Sequence, residues 1–247
     1  MDAVSEDRSV FELTASPSLE IINYGDHEDQ LIEVFKPEGP SKSRVLLVHG
    51  GYWRPEYDRV HLRPYAVKLA QEGYETFLLE YRRTPGSPDS YLQDLTAALE
   101  VVGECALVGH SAGGHLALLL SSHPNAQRIV ALAPVSDLVM GEELALDDGA
   151  VALFLEEPAE SRPDLDPMKL DFGKSRVTVI HGDHDERVPV AMSQKFAERF
   201  EAVNYIELAD IGHFELIDPR FESIVELVVS GAGRARTDDD GIMSSGL

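Results

Sequence analysis

The chain has a single cysteine, Cys105, in 247 residues, so it cannot form an intramolecular disulfide, and a reducing compartment is expected. It has no run approaching the ~20 apolar residues needed to span a bilayer. The opening residues, Met1 to Arg8, lack the basic start and apolar core of a signal peptide, so a cytoplasmic location is expected. Basic residues are scarce: 21 Lys+Arg stand against 44 Asp+Glu, for a net charge of −23. That balance argues against nucleic acid and anionic membrane as partners, since both are polyanions. A small-molecule substrate is the expected partner; the sequence is silent on oligomeric state, with a homodimer as the candidate. The 43% hydrophobic content is ordinary for a globular protein of this length, long enough to bury a substantial core.

What is present is an alternation of short apolar runs with helical segments. Strands are predicted at 31–35, 45–48, 75–81, 104–108, 128–133, 176–181 and 203–208. Val45-Leu46-Leu47-Val48 is continuously apolar, as a strand buried on both faces of a parallel sheet should be. Helices are predicted at about 61–72, at 89–101 with Asp89 or Ser90 as cap, at 112–122, at 190–200 and at about 219–230. This pattern implies an α/β fold, a mostly parallel sheet with helices on both faces and right-handed crossovers. Residues 1–29 read as an N-terminal arm lying over a domain that spans 30–231. Residues 134–172 break the alternation and are expected to form a small cap insertion. The tail 232–247 has no apolar period and is expected to be disordered.

The most informative stretch is Gly109-His110-Ser111-Ala112-Gly113-Gly114, between a predicted strand and a buried helix. G-x-S-x-G alone arises by chance in roughly one chain in ten of this length. Set between a strand and a helix, it describes a sharp turn that lifts a serine hydroxyl out of the sheet, with glycines where bulkier residues would collide. Functional groups of such sheets gather beyond the carboxyl ends of the strands. His49-Gly50-Gly51, Ser111, Asp183 with Asp185, and His213 all follow predicted strands.

A serine needs a base, and the base needs an orienting carboxylate. Ser111, Asp185 and His213 follow in that order, 74 and 28 residues apart. Asp185 is the expected acid because the turn must carry the carboxylate sideways; Asp183 is the alternative, otherwise a turn residue bonding its own backbone. Acyl transfer also needs oxyanion donors. Ala112 N–H is one candidate and Gly51 N–H the other, with Gly50 or Tyr52 as alternatives. Tyr52, Trp53 and Phe214 offer flat apolar surface for an aromatic substrate. His110 and His115 are expected to support the turn or pack on the helix, and Cys105 to be a small buried apolar residue. His181, Asp183, His184 and Asp185 are too crowded on one tight turn to ligate a metal together, so no metal is expected.

These residues resemble the α/β-hydrolases of the kynurenine formamidase (arylformamidase) type. His49-Gly50-Gly51-Tyr52-Trp53 matches the family's H-G-G-x-W motif, Gly109-His110-Ser111-Ala112-Gly113 its serine turn, and the order Ser…Asp…His its triad. The likeness extends over roughly residues 24–230. It implies Ser111 as nucleophile, Asp185 as acid, His213 as base, and Gly51 and Ala112 as oxyanion donors. The implied reaction is hydrolysis of N-formyl-L-kynurenine to formate and L-kynurenine, without a cofactor. A carboxylesterase for short acyl esters would carry the same triad. A small peptidase and a non-catalytic binder of the same fold are further readings, the last disfavoured because all three triad residues are present.

Overall fold

In a computed structural model, which describes residues 7–173 and 176–231, the chain builds one eight-stranded sheet in the order β1-β2-β4-β3-β5-β6-β7-β8. The strands are β1 (Ile21–Asn23), β2 (Leu31–Phe35), β3 (Arg44–Val48), β4 (Glu75–Leu79), β5 (Cys105–His110), β6 (Ala126–Leu132), β7 (Val177–Gly182) and β8 (Asn204–Leu208). From β4 to β8 every neighbouring pair is parallel, while β1 and β2 form an antiparallel edge. Val45 to Val48 pair with β4 on one side and β5 on the other, and all four are buried. Leu46 and Val48 pack in one apolar cluster and Val45 and Leu47 in the other, and that cover on both faces is the reason the run carries no polar residue.

Helices α1 (Arg63–Gln71), α2 (Pro88–Val102), α3 (Ala112–Leu119), α6 (Val190–Arg199) and α7 (Glu222–Gly231) connect or follow the strands. Two buried apolar clusters lie on the two faces of the sheet, one with α2, α3 and α6, the other with α1 and α7. The start of α2 differs from expectation. Pro88 occupies its first turn, so Asp89 and Ser90 fall inside the helix and neither caps it; the Ser90 hydroxyl donates to the Ser87 carbonyl instead. The arm also differs: Ile21 to Asn23 join the sheet as an edge strand, paired with Asn23 opposite Leu31.

The insertion carries α4 (Leu138–Glu143) and α5 (Leu146–Leu155). Leu138, Val151 and Phe154 are buried in the same cluster as one sheet face, so this segment is packed into the core. Asp147, Asp148 and Gly149 all take left-handed backbone angles, a kink that interrupts α5 near its start. The expected tail, 232–247, lies outside the described residues.

Candidate active site

Ser111 sits between β5 and α3 at φ 56°, ψ −121°, a conformation costing a non-glycine residue about 1–3 kcal/mol. Neighbours hold it there. Ser111 N–H donates to Leu132 O of β6 at 2.8 Å, and Ser111 O accepts the first helical bond, from His115 N–H, at 3.0 Å. The flanking glycines are sterically required. A Cβ at 109 would lie 2.2 Å from Gly113 O across the turn, and one at 113 would lie 2.4 Å from the Val48 and His49 carbonyls. The second clash is therefore with the end of β3 rather than within the turn.

The loop after β3 lies directly against the serine. A Cβ on Gly50 would meet His110 O at 2.8 Å and Ser111 Cβ at 2.9 Å. Buried side chains fix the carbonyls of this loop. Tyr81 donates its hydroxyl to His49 O at 2.8 Å, Tyr91 donates to Trp53 O at 2.9 Å, and His49 Nδ1 lies 2.7 Å from Gly50 O. In a trans peptide the N–H points opposite to the carbonyl, so the His49 contact orients the Gly51 N–H. His49 Nε2 faces Glu80 at 3.1 Å, a carboxylate that Arg59 and Arg83 also engage. Burial and the nearby Arg83 charge push the His49 pKa down to about 3.

His213 Nδ1 lies 2.7 Å from Asp185 Oδ2, and both side chains are buried. The other carboxylate oxygen, Oδ1, accepts the backbone N–H groups of Arg187 and Val188, each at 2.8 Å. His181 Nε2 approaches Asp185 Oδ2 at 3.1 Å and Val188 O at 3.0 Å, so Nε2 carries its proton; Nδ1 then accepts the Ser193 hydroxyl at 2.7 Å. Burial disfavours the Asp185 anion, but the electrostatic attraction and hydrogen bonds of the two imidazole N–H groups, from His213 and His181, outweigh it. They hold the carboxyl well below the usual carboxylate range. Asp183 does not compete for His213: its Oδ1 accepts the Asp210 N–H at 2.8 Å, tying the acid turn to the base loop. A Cβ on Gly182 would lie 2.0 Å from Ile211 O, which shows how closely those two loops approach.

Ser111, His213, Gly51, Tyr52 and Phe214 line one cavity of about 110 Å³. A larger open groove of about 940 Å³, between the segment 18–20, β2 and α1, contains none of them. Ala112, the other oxyanion candidate, is the first residue of α3, where N–H groups have no partner within the helix. Trp53 departs from expectation. It is 2% exposed, stacks on Phe154 with ring centres 4.6 Å apart, and belongs to the core. Phe154 of α5 supplies the face that covers it.

His110 and His115 act as supports. His110 Nε2 donates to the His213 carbonyl at 3.0 Å; burial and the nearby His213 push its pKa well below the ordinary value. His115 donates from Nε2 to Leu165 O at 2.8 Å, and burial pushes its pKa down to about 4. Cys105 is buried, and burial pushes its thiol up to about 12, which makes it a poor nucleophile. Among the described residues no group of three or more His, Cys, Asp or Glu could hold a metal ion, and no helix is long and apolar enough to cross a membrane.

Sequence reasoning missed several cavity residues. Arg8 and Phe11 come from the N-terminal segment, His61 and Tyr57 from the connection after β3, and Arg187 from the acid turn. The one local signal was Phe11, an apolar residue in a polar stretch, whose ring packs edge-on against Phe214 at 4.8 Å.

Several known proteins are similar to this chain. The kynurenine formamidase of Drosophila melanogaster is 24% identical over 240 residues, covering 84% of this chain and 79% of that protein. That of Meyerozyma guilliermondii is 26% identical over 113 residues, and this match spans less than half of either chain, 43% of this one and 44% of the yeast protein. An inhibited esterase B from Lactobacillus rhamnosis superposes with a TM-score of 0.71 at 19% identity, covering 91% of this chain and 90% of that one, a likeness of fold. The model of the alpha/beta hydrolase family matches residues 45–217, a stretch that includes β3, the serine turn, the acid turn and the His213 loop, and the chain therefore belongs to that family.

Proposed function

We propose that this protein is a serine hydrolase of small acyl groups, and that its substrate is N-formyl-L-kynurenine, cleaved to formate and L-kynurenine. The observation that carries this reading is the His213–Asp185 contact at 2.7 Å, with His213 and Ser111 on the wall of one small cavity. With Nδ1–H given to Asp185, the lone pair of His213 is on Nε2, the nitrogen left to serve as base.

Ser111 Oγ attacks the formyl carbon while His213 Nε2 takes its proton, and Asp185 stabilises the imidazolium that results. The carbonyl oxygen becomes an oxyanion held by the N–H groups of Gly51 and Ala112. The tetrahedral intermediate collapses as His213 returns the proton to the departing aniline nitrogen. This leaves formyl-Ser111 and frees kynurenine. Water, deprotonated by His213, then attacks the formyl ester, and the second collapse releases formate and restores the serine hydroxyl.

A cavity of about 110 Å³ suits a formyl- or acetyl-sized acyl group, and Tyr52 and Phe214 on its wall suit an aryl leaving group. The formamidases of Drosophila and Meyerozyma support this choice of substrate. The single buried cysteine and the charge of −23 support a cytoplasmic enzyme acting on a small molecule. The test is kcat/KM for N-formylkynurenine against p-nitrophenyl acetate, with Ser111→Ala as the control for adventitious activity. Formamide turnover that Ser111→Ala abolishes is expected. Ester turnover with the formamide untouched would make the protein a carboxylesterase instead.

A further inference from the structure

Among the described residues, the large apolar side chains left exposed include two aromatic rings, Phe11 at 41% and Tyr57 at 45%. Both line the cavity that holds Ser111 and His213. Exposed apolar surface gathered at a cavity, rather than scattered singly, marks a place where a ligand gains contact area. Phe11 belongs to the N-terminal segment, outside the residues 45–217 that the family model matches. Nucleophile, acid, base and oxyanion loop all lie within that range, so the chemistry does not account for Phe11.

The segment is fastened in place around this ring. Val10 is buried, the Ser9 N–H donates to Asp7 at 2.8 Å, and the Ser9 hydroxyl accepts from the Arg220 guanidinium at 2.6 Å. Arg220 in turn donates through Nε to the buried Asp218 at 2.9 Å. Phe11 then packs edge-on against Phe214, with ring centres 4.8 Å apart and planes at 75°, and lies 5.8 Å from the His61 ring. The Arg8 guanidinium carbon stands 5.5 Å from the Phe11 ring centre and 5.3 Å from that of Phe214, within cation–π range of both. Two rings set edge-on form a corner of one face and one edge. A third flat ring can pack there by the stacked and edge-to-face geometries that aromatic pairs prefer.

The place of the corner decides which half of a substrate meets it. The acyl oxygen points to the Gly51 loop, which Tyr57 closely abuts: a Cβ on Gly51 would come within 2.4 Å of Tyr57 Cβ. The leaving group faces the other way, toward His213, which must return a proton to it. Phe214 follows His213 directly, and Phe11 extends its surface toward solvent. We propose that Phe11 is a specificity-determining residue, the outer wall of a leaving-group subsite that selects flat aromatic leaving groups over saturated ones of similar size. The inference rests on the hydrolase reading of Ser111 and His213 but not on the identity of the acyl group. It assigns leaving-group preference to the N-terminal segment. In N-formylkynurenine, the ring so held is the one that bears the formamide nitrogen.

Two matched substrate pairs test it. The ester pair is phenyl acetate and cyclohexyl acetate; the formamide pair is formanilide and N-cyclohexylformamide. The readout is the ratio of kcat/KM for the aromatic member to that for its saturated partner. Differences in intrinsic reactivity within a pair cancel when this ratio is compared between enzyme variants. In Phe11→Ala the ratio should fall about 2- to 10-fold, the range of an aromatic pairing beyond simple burial. Phe11→Leu, which keeps the apolar bulk and loses the flat ring, should fall with it, and Phe11→Tyr should hold the wild-type ratio. A ratio unmoved in both Phe11→Ala and Phe11→Leu overturns the subsite. So does a parallel loss on both members of a pair, which would make Phe11 a clamp on the base loop only. Turnover that persists in Ser111→Ala overturns the hydrolase reading and the subsite with it. If only esters turn over, the formamidase reading fails and the ester ratio still decides the subsite.

Discussion

Gly50 packs against Ser111 so closely that a Cβ on the glycine would sit 2.9 Å from the Cβ of the serine and 2.8 Å from the His110 carbonyl. The loop meant to hold the oxyanion and the turn meant to deliver the nucleophile are in direct contact. Gly50→Ala should therefore cost activity by displacing one against the other. A misplacement of about 1 Å is worth roughly 10²-fold in rate. The expected outcome is a kcat lowered by about that factor in a protein that still folds, with stability reduced by about 1–3 kcal/mol. Measuring kcat alongside a urea midpoint separates the two effects; full activity in the alanine variant would deny the loop its role.

The two aspartates of the acid turn have opposite surroundings. Asp185 faces His213 and His181, while Asp183 bonds the backbone at Asp210. Asp185→Asn should lower kcat by about 10⁴, as loss of the orienting carboxylate does elsewhere. Asp183→Asn keeps an oxygen that can accept the Asp210 N–H and should stay close to wild type. Steady-state kinetics on both variants decides the assignment, and the reverse ranking would move the acid to Asp183.

Acid should destabilise the fold in a defined window. Burial lowers the pKa of His115 from 6.5 to about 4, and that of His110 falls well below the ordinary value. Between those values the unfolded chain binds protons that the native state does not, so stability rises with pH and is lost as pH falls below about 6.5. The slope is up to about 1.4 kcal/mol per pH unit for each such histidine. The depressed carboxyls of Asp185 and Glu33 continue the loss below the ordinary carboxylate range, near pH 4. Urea midpoints measured from pH 7 down to pH 4.5 should decline steadily; a flat profile would show that these imidazoles protonate without opposing the fold.

Trp53 supports the fold from the core, 2% exposed and stacked on Phe154. Trp53→Phe should lower stability by about 1–3 kcal/mol through lost packing, with little change in KM. Tyr52→Ala, at the cavity wall, should raise KM. Comparing KM with thermal midpoints for the pair checks the division, and a large KM effect from Trp53→Phe would place that ring at the substrate after all.

Much of the site was legible because its signals are local. The turn around Ser111 needs glycine at 109 for a local reason, the Gly113 carbonyl across the turn, whereas glycine at 113 is required by the carbonyls at the end of β3. That 45–48 is a strand inside a parallel sheet was legible too, since an unbroken apolar run requires cover on both faces, whereas the order of the eight strands came only from the structure. His213 and Asp185 were readable as residues just past strand ends, where an α/β sheet collects its chemistry.

What the sequence determined by itself, then, was the α/β framework and the order of a nucleophile, an acid and a base along it. Short-range sterics and hydrophobic period encode those features. Only the tertiary structure decided which aspartate meets His213, since Asp183 and Asp185 sit two residues apart on one turn and differ by the loop each one faces. It also buried Trp53 beneath α5, and brought Arg8 and Phe11 across about a hundred residues to the rim above Ser111. Those outcomes depend on which surfaces are left to pack once the sheet has formed, and apart from the apolar Phe11 in its polar stretch no local pattern in the chain records them.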